Sequence, residues 1–113
     1  MNEFVFLYRG GMDGSTASAQ EMQAQMGRWQ AWLGKLQEEG KLKDFGAPLQ
    51  SGAKLVASGG VITDGPFSEG KEIIGGYSIV KAKDIEEAAQ IAKGCPIFQV
   101  PTGSVEVRPV QAM

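Results

Sequence analysis

The segment TDGPFSEGKEIIGGY, residues 63–77, holds side chains whose types suggest chemistry. On a functional interpretation, the carboxylate of Asp64 acts as a general base or cation ligand at the mouth of a cleft, and Phe67 contributes to the ligand-binding surface. The same residues also favour a turn, because Asp caps the following backbone, Gly accepts unusual dihedral angles and Pro presets φ. On that interpretation the side chain of Phe67 packs at the edge of the core. Turn chemistry explains the segment without a ligand, so we favour it and keep Asp64 as the catalytic candidate.

A second candidate pair lies in the terminal segment SVEVRPV, residues 104–110. Its strict alternation predicts a strand in which Glu106 and Arg108 share one face. If that face lies opposite the helices, the pair forms a salt bridge at a subunit interface, since buried charges are normally paired. The alternative is that Arg108 orients a substrate carboxylate, for which its planar guanidinium is suited. Arg9, at the end of the first predicted strand, is placed to join either arrangement.

Three aromatic side chains are candidates for a ligand surface. Trp29 and Trp32 are predicted to belong to the core or to the wall of a cleft, where an aromatic surface suits a flat apolar ligand. Tyr77 follows the glycine pair at positions 75 and 76. We favour a packed strand tyrosine there, with a phenolic proton donor as the alternative.

The composition excludes several classes of function. The 113-residue chain contains no histidine, which removes Ser-His-Asp and Cys-His catalysis and His-ligated zinc. The single cysteine, Cys95, cannot form an intrachain disulfide, which fits a reducing compartment. A net charge of −2 without a basic block argues against direct nucleic-acid binding. We therefore expect no metal and no cofactor.

The apolar segment at the N-terminus, residues 4–8, is too short for a signal peptide or a membrane span. We therefore expect a cytoplasmic protein without a membrane partner. Cys95 follows a predicted helix C-terminus, where the helix dipole disfavours a thiolate. The sequence thus predicts a buried, structural cysteine.

Two helices and several strands must position these residues. Capping boxes at Ser18 and Glu21, and at Asp84 and Glu87, predict the starts of two helices. Gly40 is predicted to end the first helix. The inward face of the first helix is predicted to carry Met22, Met26, Trp29, Leu33 and Leu36, with Trp32 to one side of it. The inward face of the second is predicted to carry Ile85, Ala88, Ala89 and Ala92.

The strands are predicted at residues 4–8, within 42–49, at 72–80 and at 104–110. A short hairpin formed by 54–58 and 61–63 turns at two glycines, and residues 97–103 are predicted to be loop. The order is β-α-β-hairpin-β-α-β, which predicts a single domain of ferredoxin-like α+β fold with both helices on one face of the sheet. The uncovered face then predicts a homodimer, with sheet packed against sheet.

The whole chain, residues 1–113, resembles the DGPF-type members of the YCII-related family. The resemblance rests on TDGPFSEGKEIIGGY, on the D-x-x-E-A-A helix and GCP that follow, and on the terminal SVEVRPV. The opening FLYRGG and the helix ending W-x-x-W-L-x-x-L-x-x-x-G-K-L match the same group. The resemblance implies a ferredoxin-like subunit that pairs into a dimeric α+β barrel, with a cleft between helix and sheet or at the dimer interface.

The resemblance also implies two classes of function. Some relatives are similar to lyases or dehydrochlorinases acting on small aromatic or acidic molecules, with a histidine on the first helix near an acidic residue. Trp29 occupies the matching position here, so that mechanism does not transfer. Other members are described as companions of sigma factors.

These observations together predict a small cytoplasmic homodimer that binds an acidic or aromatic metabolite in a cleft. Its catalytic form is cofactor-free acid–base chemistry, of the lyase or hydrolase kind, with Asp64 as the base. The alternative is a non-catalytic interaction or regulatory protein, such as a companion of a sigma factor.

Overall fold

The fold of the protein was obtained as a computed structural model, which describes residues 1–12, 16–50, 52–65 and 73–112. The chain forms six strands, two α-helices and one short 3-10 helix within these ranges. In chain order these are β1 (Asn2–Arg9), α1 (Ala19–Glu38), β2 (Leu42–Pro48), β3 (Leu55–Val56), β4 (Ile62–Thr63), β5 (Ile74–Ala82), α2 (Ile85–Ala92), the 3-10 helix (Pro96–Gln99) and β6 (Ser104–Pro109). No helix in the described ranges has the length and apolar character needed to cross a membrane.

Four of the strands form an antiparallel sheet in the order β2-β5-β1-β6. With one helix after β1 and the other after β5, this order is that of a ferredoxin-like α+β fold, as the sequence predicted. Side chains from both helices and from β1 and β5 share one core, so both helices cover the same face of the sheet. The predicted hairpin is also confirmed, as the separate two-stranded sheet β3-β4.

The first strand is buried on one face only. Phe4, Phe6 and Tyr8 lie in the core, with Phe6 fully enclosed. Val5 and Leu7 point to the opposite face and are half-buried. This second face has no covering layer within the described part of the subunit, in line with the uncovered sheet face that the element order predicted.

The helix starts follow the predicted capping chemistry. The Ser18 hydroxyl accepts a hydrogen bond from the Glu21 N–H at 3.1 Å, and the Asp84 carboxylate accepts one from the Glu87 N–H at 2.8 Å. Each interaction satisfies an N–H group that has no partner within its helix. Gly40 follows the end of α1 with a φ of 73°, in the left-handed region that glycine adopts without strain.

The predicted inward face of α1 was partly wrong. Met22 and Met26 are exposed, while Gln25 is buried and Trp32 packs against the core. The inward residues recur at steps of four, three and four: Gln25, Trp29, Trp32 and Leu36. The apolar methionines indicated a stripe displaced from the one that the indole rings occupy.

Two further local predictions were wrong. On α2, Ile85 and Ala89 are exposed, whereas Ala88 and Ala92 are buried and Ile91 packs against them. The inward face of α2 is therefore narrower than the alanine pattern indicated. The segment predicted as loop, residues 97–103, overlaps the 3-10 helix Pro96–Gln99. Proline suits the first position of this helix because an N–H there would have no helical partner.

Candidate functional site

The open face of the sheet brings together side chains from β1, β5 and β6. Leu7 lies opposite Tyr77 on one side and opposite Glu106 on the other. In antiparallel strands such directly opposed residues project from the same face. In the next row, Val5 lies between Ile79 and Arg108. The resulting surface, opposite the helices, is apolar at its centre and charged along β6.

An ion cluster occupies the β6 side of this face. The Arg9 guanidinium donates from Nη2 and Nε to Glu106 Oε1, at 3.0 and 3.3 Å. Arg108 Nε lies 3.8 Å from Glu106 Oε2. The predicted shared face of Glu106 and Arg108 is confirmed, and the structure places this face opposite the helices, where Arg9 joins them. Within this cluster two guanidinium groups surround one carboxylate, and guanidinium groups suit an anionic ligand.

The arrangement follows from strand register. Arg9 lies opposite Ser104, one row beyond the pairing of Leu7 with Glu106. A diagonal neighbour on an antiparallel pair lies within reach of a long side chain, so the arginine reaches Glu106 across the two strands. Arg9 and Glu106 are half-buried and Arg108 is more exposed, so solvent screens the outer contact most.

Tyr77 lies on the same face as this cluster but belongs to the strand on the far side of Leu7. Its ring is partly exposed and borders the apolar centre of the face. The tyrosine and the arginines therefore flank Leu7 from two sides. A flat molecule lying over Leu7 would contact the ring on one side and the guanidinium groups on the other.

Trp29 lies on the other side of the sheet. It packs edge-on against Tyr8, with the ring centres 4.6 Å apart, and against Trp32 at 5.8 Å. Trp32 in turn stacks on Phe6 at 6.3 Å. The sheet thus separates Trp29 from the ion cluster, and the described part of the helix layer is filled by aromatic rings. These two sets of predicted site residues do not form one pocket within a subunit.

Two polar groups in that aromatic layer were not identified from the sequence. The Tyr8 hydroxyl is buried without a hydrogen-bond partner among the described residues. Burial raises the pKa of Tyr8 well above its usual range, and the nearby Ser78 hydroxyl offsets part of this rise. Ser78 donates its own hydroxyl proton to the Phe45 carbonyl at 2.8 Å.

The side-chain amide of Gln25 is the second polar group that was not identified from the sequence. Its amide donates to the Pro96 carbonyl at 2.9 Å and accepts from Arg28 at 2.9 Å. This pair of bonds links the start of α1 to the 3-10 helix. Gln25 lies four residues before Trp29 and seven before Trp32, a spacing that places it on the same helix face. The sequence offered this signal, but a polar residue is not normally assigned to an apolar face.

Asp64 belongs to the end of the β3-β4 hairpin rather than to the four-stranded sheet. Its carboxylate pairs with the Lys54 ammonium across the hairpin, and its side chain is 76% exposed. Gly65 follows with a φ of 56°, close to the Ala53 carbonyl, which agrees with the turn interpretation. Phe67 lies outside the described residues.

Cys95 is buried at the end of the helix layer. Burial raises the pKa of the Cys95 thiol to about 12, and a hydrogen bond with the Ile97 backbone offsets a small part. The thiolate is therefore scarce at neutral pH, which agrees with the predicted structural role.

A solvent-open depression at the start of α2 contains none of the predicted site residues. Its lining is polar and consists of Lys83, Asp84, Glu86, Glu87 and Gln90. Glu87 Oε1 accepts from the Lys83 N–H at 3.2 Å, and Asp84 caps the helix. These carboxylates serve the helix end, and the depression adds no catalytic grouping.

Comparison with known proteins gives the family and the fold. The YCII-related domain matches residues 4–113. An uncharacterised protein of Rhizobium meliloti (strain 1021) is 35% identical over 80 residues, which cover 67% of this chain and 64% of that protein. The chain therefore matches less than two thirds of that relative's length.

Among solved structures, the fold is similar to that of 5-chloro-2-hydroxyhydroquinone dehydrochlorinase from Burkholderia phenoliruptrix AC1100, determined in complex with 2,5-dihydroxybenzoquinone. The TM-score is 0.50 with 18% identity, and the match covers 96% of this chain and 93% of that one. At this identity the likeness is one of fold. Because the family match extends over nearly the whole sequence, the chain belongs to the YCII-related family, as its motifs predicted.

Proposed function

We propose that the protein is a homodimer, of the DGPF type within its family, that binds a small acidic or aromatic molecule on the open face of the sheet. The observation that carries the proposal is the cluster of Arg9, Glu106 and Arg108 beside the apolar pair Leu7 and Tyr77. Guanidinium groups bind anionic oxygens in a planar geometry, and the neighbouring apolar surface accepts a ring. The two features together suit a flat ligand that carries negative charge.

The family relationship and the fold support the same class of ligand. The similar dehydrochlorinase was determined with 2,5-dihydroxybenzoquinone, a flat oxygenated ring. We carry over from it only the class of ligand, a small oxygenated aromatic molecule. Any acid–base step on such a ligand must use residues other than histidine, because the chain contains none.

The dimer belongs to the proposal because the open face exposes apolar side chains to water. Val5, Leu7 and Ile79 are half-buried there, with no layer from the described part of the same subunit above them. Packing the sheets of two subunits face to face removes this apolar area from water. The same packing lowers the local dielectric constant around Arg9, which strengthens the attraction of its guanidinium for an anion.

In its catalytic form, the proposal is cofactor-free acid–base chemistry by carboxylates. Glu106 is the carboxylate that lies within the proposed ligand surface. Asp64, the base predicted from the sequence, reaches a ligand only if the hairpin of one subunit approaches the face of another. A Glu106→Gln substitution that preserves binding but abolishes turnover would assign the base to Glu106.

Ligand binding is tested by thermal-shift and calorimetric titration with 2,5-dihydroxybenzoquinone, benzoate and neutral phenol. We expect the two anionic rings to raise the melting temperature. Arg9→Gln should weaken their binding about 10- to 100-fold, the value of a charge-assisted hydrogen bond. Phenol should bind weakly and equally to both proteins.

The matched control is Lys43→Gln, which removes another cation of the sheet, paired with Glu3 at 2.9 Å. It should leave the binding constants unchanged. If no anionic ring raises the melting temperature, or if Arg9→Gln binds as wild type does, the proposed site is wrong. The non-catalytic alternative then gains support.

A further inference from the structure

The β3-β4 hairpin projects from the end of the four-stranded sheet. The chain leaves the sheet after Leu49, whose N–H donates to the Gly75 carbonyl at 2.8 Å. It returns at Ile73, whose carbonyl accepts from the Gly10 N–H at 3.3 Å. Between these anchors, β3 and β4 pair with each other and with no other described strand. We refer to described residues 52–65 as the arm.

The arm exposes apolar side chains on both of its faces. Val56 lies opposite Ile62, and Leu55 lies opposite Thr63 on the other face. Leu55, Val56, Val61 and Ile62 are each between 51% and 64% exposed. An isolated two-stranded hairpin is only marginally stable in water, so apolar residues on it favour a covering layer. The described part of the subunit does not provide that layer.

Further apolar side chains are exposed on β2, on β5 and on the residues adjoining them, on either side of the arm in the chain. We call this set the acceptor patch, and it consists of the exposed side chains of Phe45, Leu49, Ile73, Ile74 and Tyr77. Within the described ranges, fifteen large apolar side chains are exposed, and nine of them belong to the arm or to this patch. Such a concentration in one part of a chain is typical of a protein interface.

The size of the uncovered surface fits a subunit of a stable dimer. The chain exposes 7855 Å² at a mass of 12.0 kDa, whereas a compact monomer of this mass exposes about 6,000 Å². The excess of about 1,900 Å² exceeds the roughly 800 Å² that each partner buries in a standard interface. The radius of gyration, 15.3 Å, likewise exceeds the value of about 13 Å for a compact chain of this length.

The chemistry of the arm favours a second copy of the chain as its partner. Its two charged residues, Lys54 and Asp64, form a pair with each other. The arm therefore lacks the net positive charge that binds phosphate groups of membranes or nucleic acids. The arm and the acceptor patch are both apolar and belong to one chain. In a dimer with two-fold symmetry, the arm of each subunit can therefore cover the patch of the other.

We propose that the arm of each subunit packs against the acceptor patch of a second copy, forming a reciprocal clasp. This contact adds the arm to the interface, which the packing of the open sheet faces alone does not use. The two contacts share Tyr77, and Ile74 of the patch lies opposite Arg9. The clasp goes beyond ligand binding: a protein that forms the clasp but binds no ring would overturn only the proposed function.

The clasp is tested by placing two charges on one face of the arm with Val56→Glu and Ile62→Glu. Sedimentation equilibrium should show the dimer dissociation constant raised by about 100-fold or more, because two buried apolar contacts are lost and two carboxylates are desolvated. Met26→Glu, at a side chain on α1 that is 60% exposed, is the matched control and should leave the constant unchanged. Near-ultraviolet circular dichroism of the tryptophans packed on the core checks that each variant is folded.

A cross-linking experiment identifies the surface that the arm contacts. A photoreactive side chain replaces Val56 in ¹⁵N-labelled protein, which is mixed with unlabelled wild type before irradiation. Mass spectrometry should find mixed-isotope cross-links to peptides covering residues 45–49 and 73–77. A monomeric wild type, cross-links within one subunit only, or a dissociation constant unaffected by the two glutamates would overturn the proposal.

Discussion

Tyr8 is the residue whose position has the clearest consequence for the free energy of unfolding. Its ring belongs to the aromatic layer between α1 and the sheet, in contact with Trp29 and Trp32. Its hydroxyl is buried without a hydrogen-bond partner in the described part of the chain. A buried hydroxyl without a partner costs about 1–3 kcal/mol, the hydration it gave up on folding.

We therefore expect Tyr8→Phe to raise the free energy of unfolding by about 1 kcal/mol, since it removes the unpaired group and keeps the ring. Urea denaturation followed by tryptophan fluorescence measures the change. Tyr77→Phe, at a partly exposed ring on the open face, is the control and should change stability little. A Tyr8→Phe protein that is less stable than wild type would show that the hydroxyl has a partner, such as an ordered water.

The residues predicted to carry chemistry lie in separate parts of the structure. The alternation around Glu106 and Arg108 predicted their shared face, because a strand imposes a period of two whatever the fold around it. Their contact with Arg9 depends on how β1 and β6 align, a matter of register between segments about 100 residues apart in the chain. Residue types alone could not show that Asp64 pairs with Lys54 on the arm instead.

Among the elements, α1 shows why an apolar pattern can indicate the wrong face. Met22 and Met26 continue the spacing of Leu33 and Leu36, so they predicted one stripe. In the structure the broad indole of Trp32 stacks on Phe6 and rotates the buried face away from the methionines. The shape of the rings, rather than their hydrophobicity, determines which side of the helix meets the sheet.

The edge strand β2 contains an irregularity that depends on one glycine. The register between β2 and β5 shifts between Asp44 and Ala47. At that point Gly46 has a φ of 71°, and its N–H donates to the Asp44 carboxylate at 2.7 Å. A Cβ on Gly46 would lie 1.7 Å from the Tyr77 carbonyl oxygen, far inside van der Waals contact. The bulge therefore requires glycine for both space and backbone conformation.

We expect Gly46→Ala to lower the free energy of unfolding by at least about 2 kcal/mol, because it adds left-handed strain to a backbone clash. Chemical denaturation measures the loss, and hydrogen exchange of β2 amides should rise locally. Gly27→Ala on α1 is the matched control, since a Cβ added there would have no described atom within 4 Å. In a helix interior that substitution should raise stability by about 0.5–1 kcal/mol.

For the molecule as a whole, both buried acids link stability to alkaline pH. Burial holds Tyr8 and Cys95 in their neutral forms, so the folded pKa of each lies above its ordinary value. A raised pKa of an acid means that the folded state retains its proton longer than the unfolded state. The resulting stabilisation is complete below the ordinary pKa and is lost as the pH rises toward the folded one.

For Cys95 this window extends from a pKa of 9.0 to about 12. We expect its contribution to the free energy of unfolding to fall across the window by about 1.4 kcal/mol per pH unit. Urea denaturation of wild type and Cys95→Ala across this range measures the difference. The alanine variant should lose stability less steeply, and the native thiol should react slowly with Ellman's reagent below the window. Parallel pH dependences of the two proteins would contradict the assignment.

The uncovered surfaces of the subunit also belong to this scale. The open sheet face and the arm are both apolar, yet they lie in different parts of the molecule. The sequence predicted one of them, because strand alternation and helix placement together leave a face without a layer. The arm was predicted only as a short hairpin, since the spacing of its strands carries no information on whether the body of the subunit covers it.

The strands, the two α-helices, their order and the family could be predicted from the order of residues, whereas the 3-10 helix was not. Capping boxes, glycine turns and strand periods act over a few residues, so they retain their meaning in any tertiary context. Which side chains meet became known only from the folded chain: the indole-lined face of α1, the reach of Arg9 to Glu106, the buried phenol of Tyr8 and the exposure of the arm. These depend on register and packing between distant segments, where shape and desolvation act on side chains that no local pattern brings together.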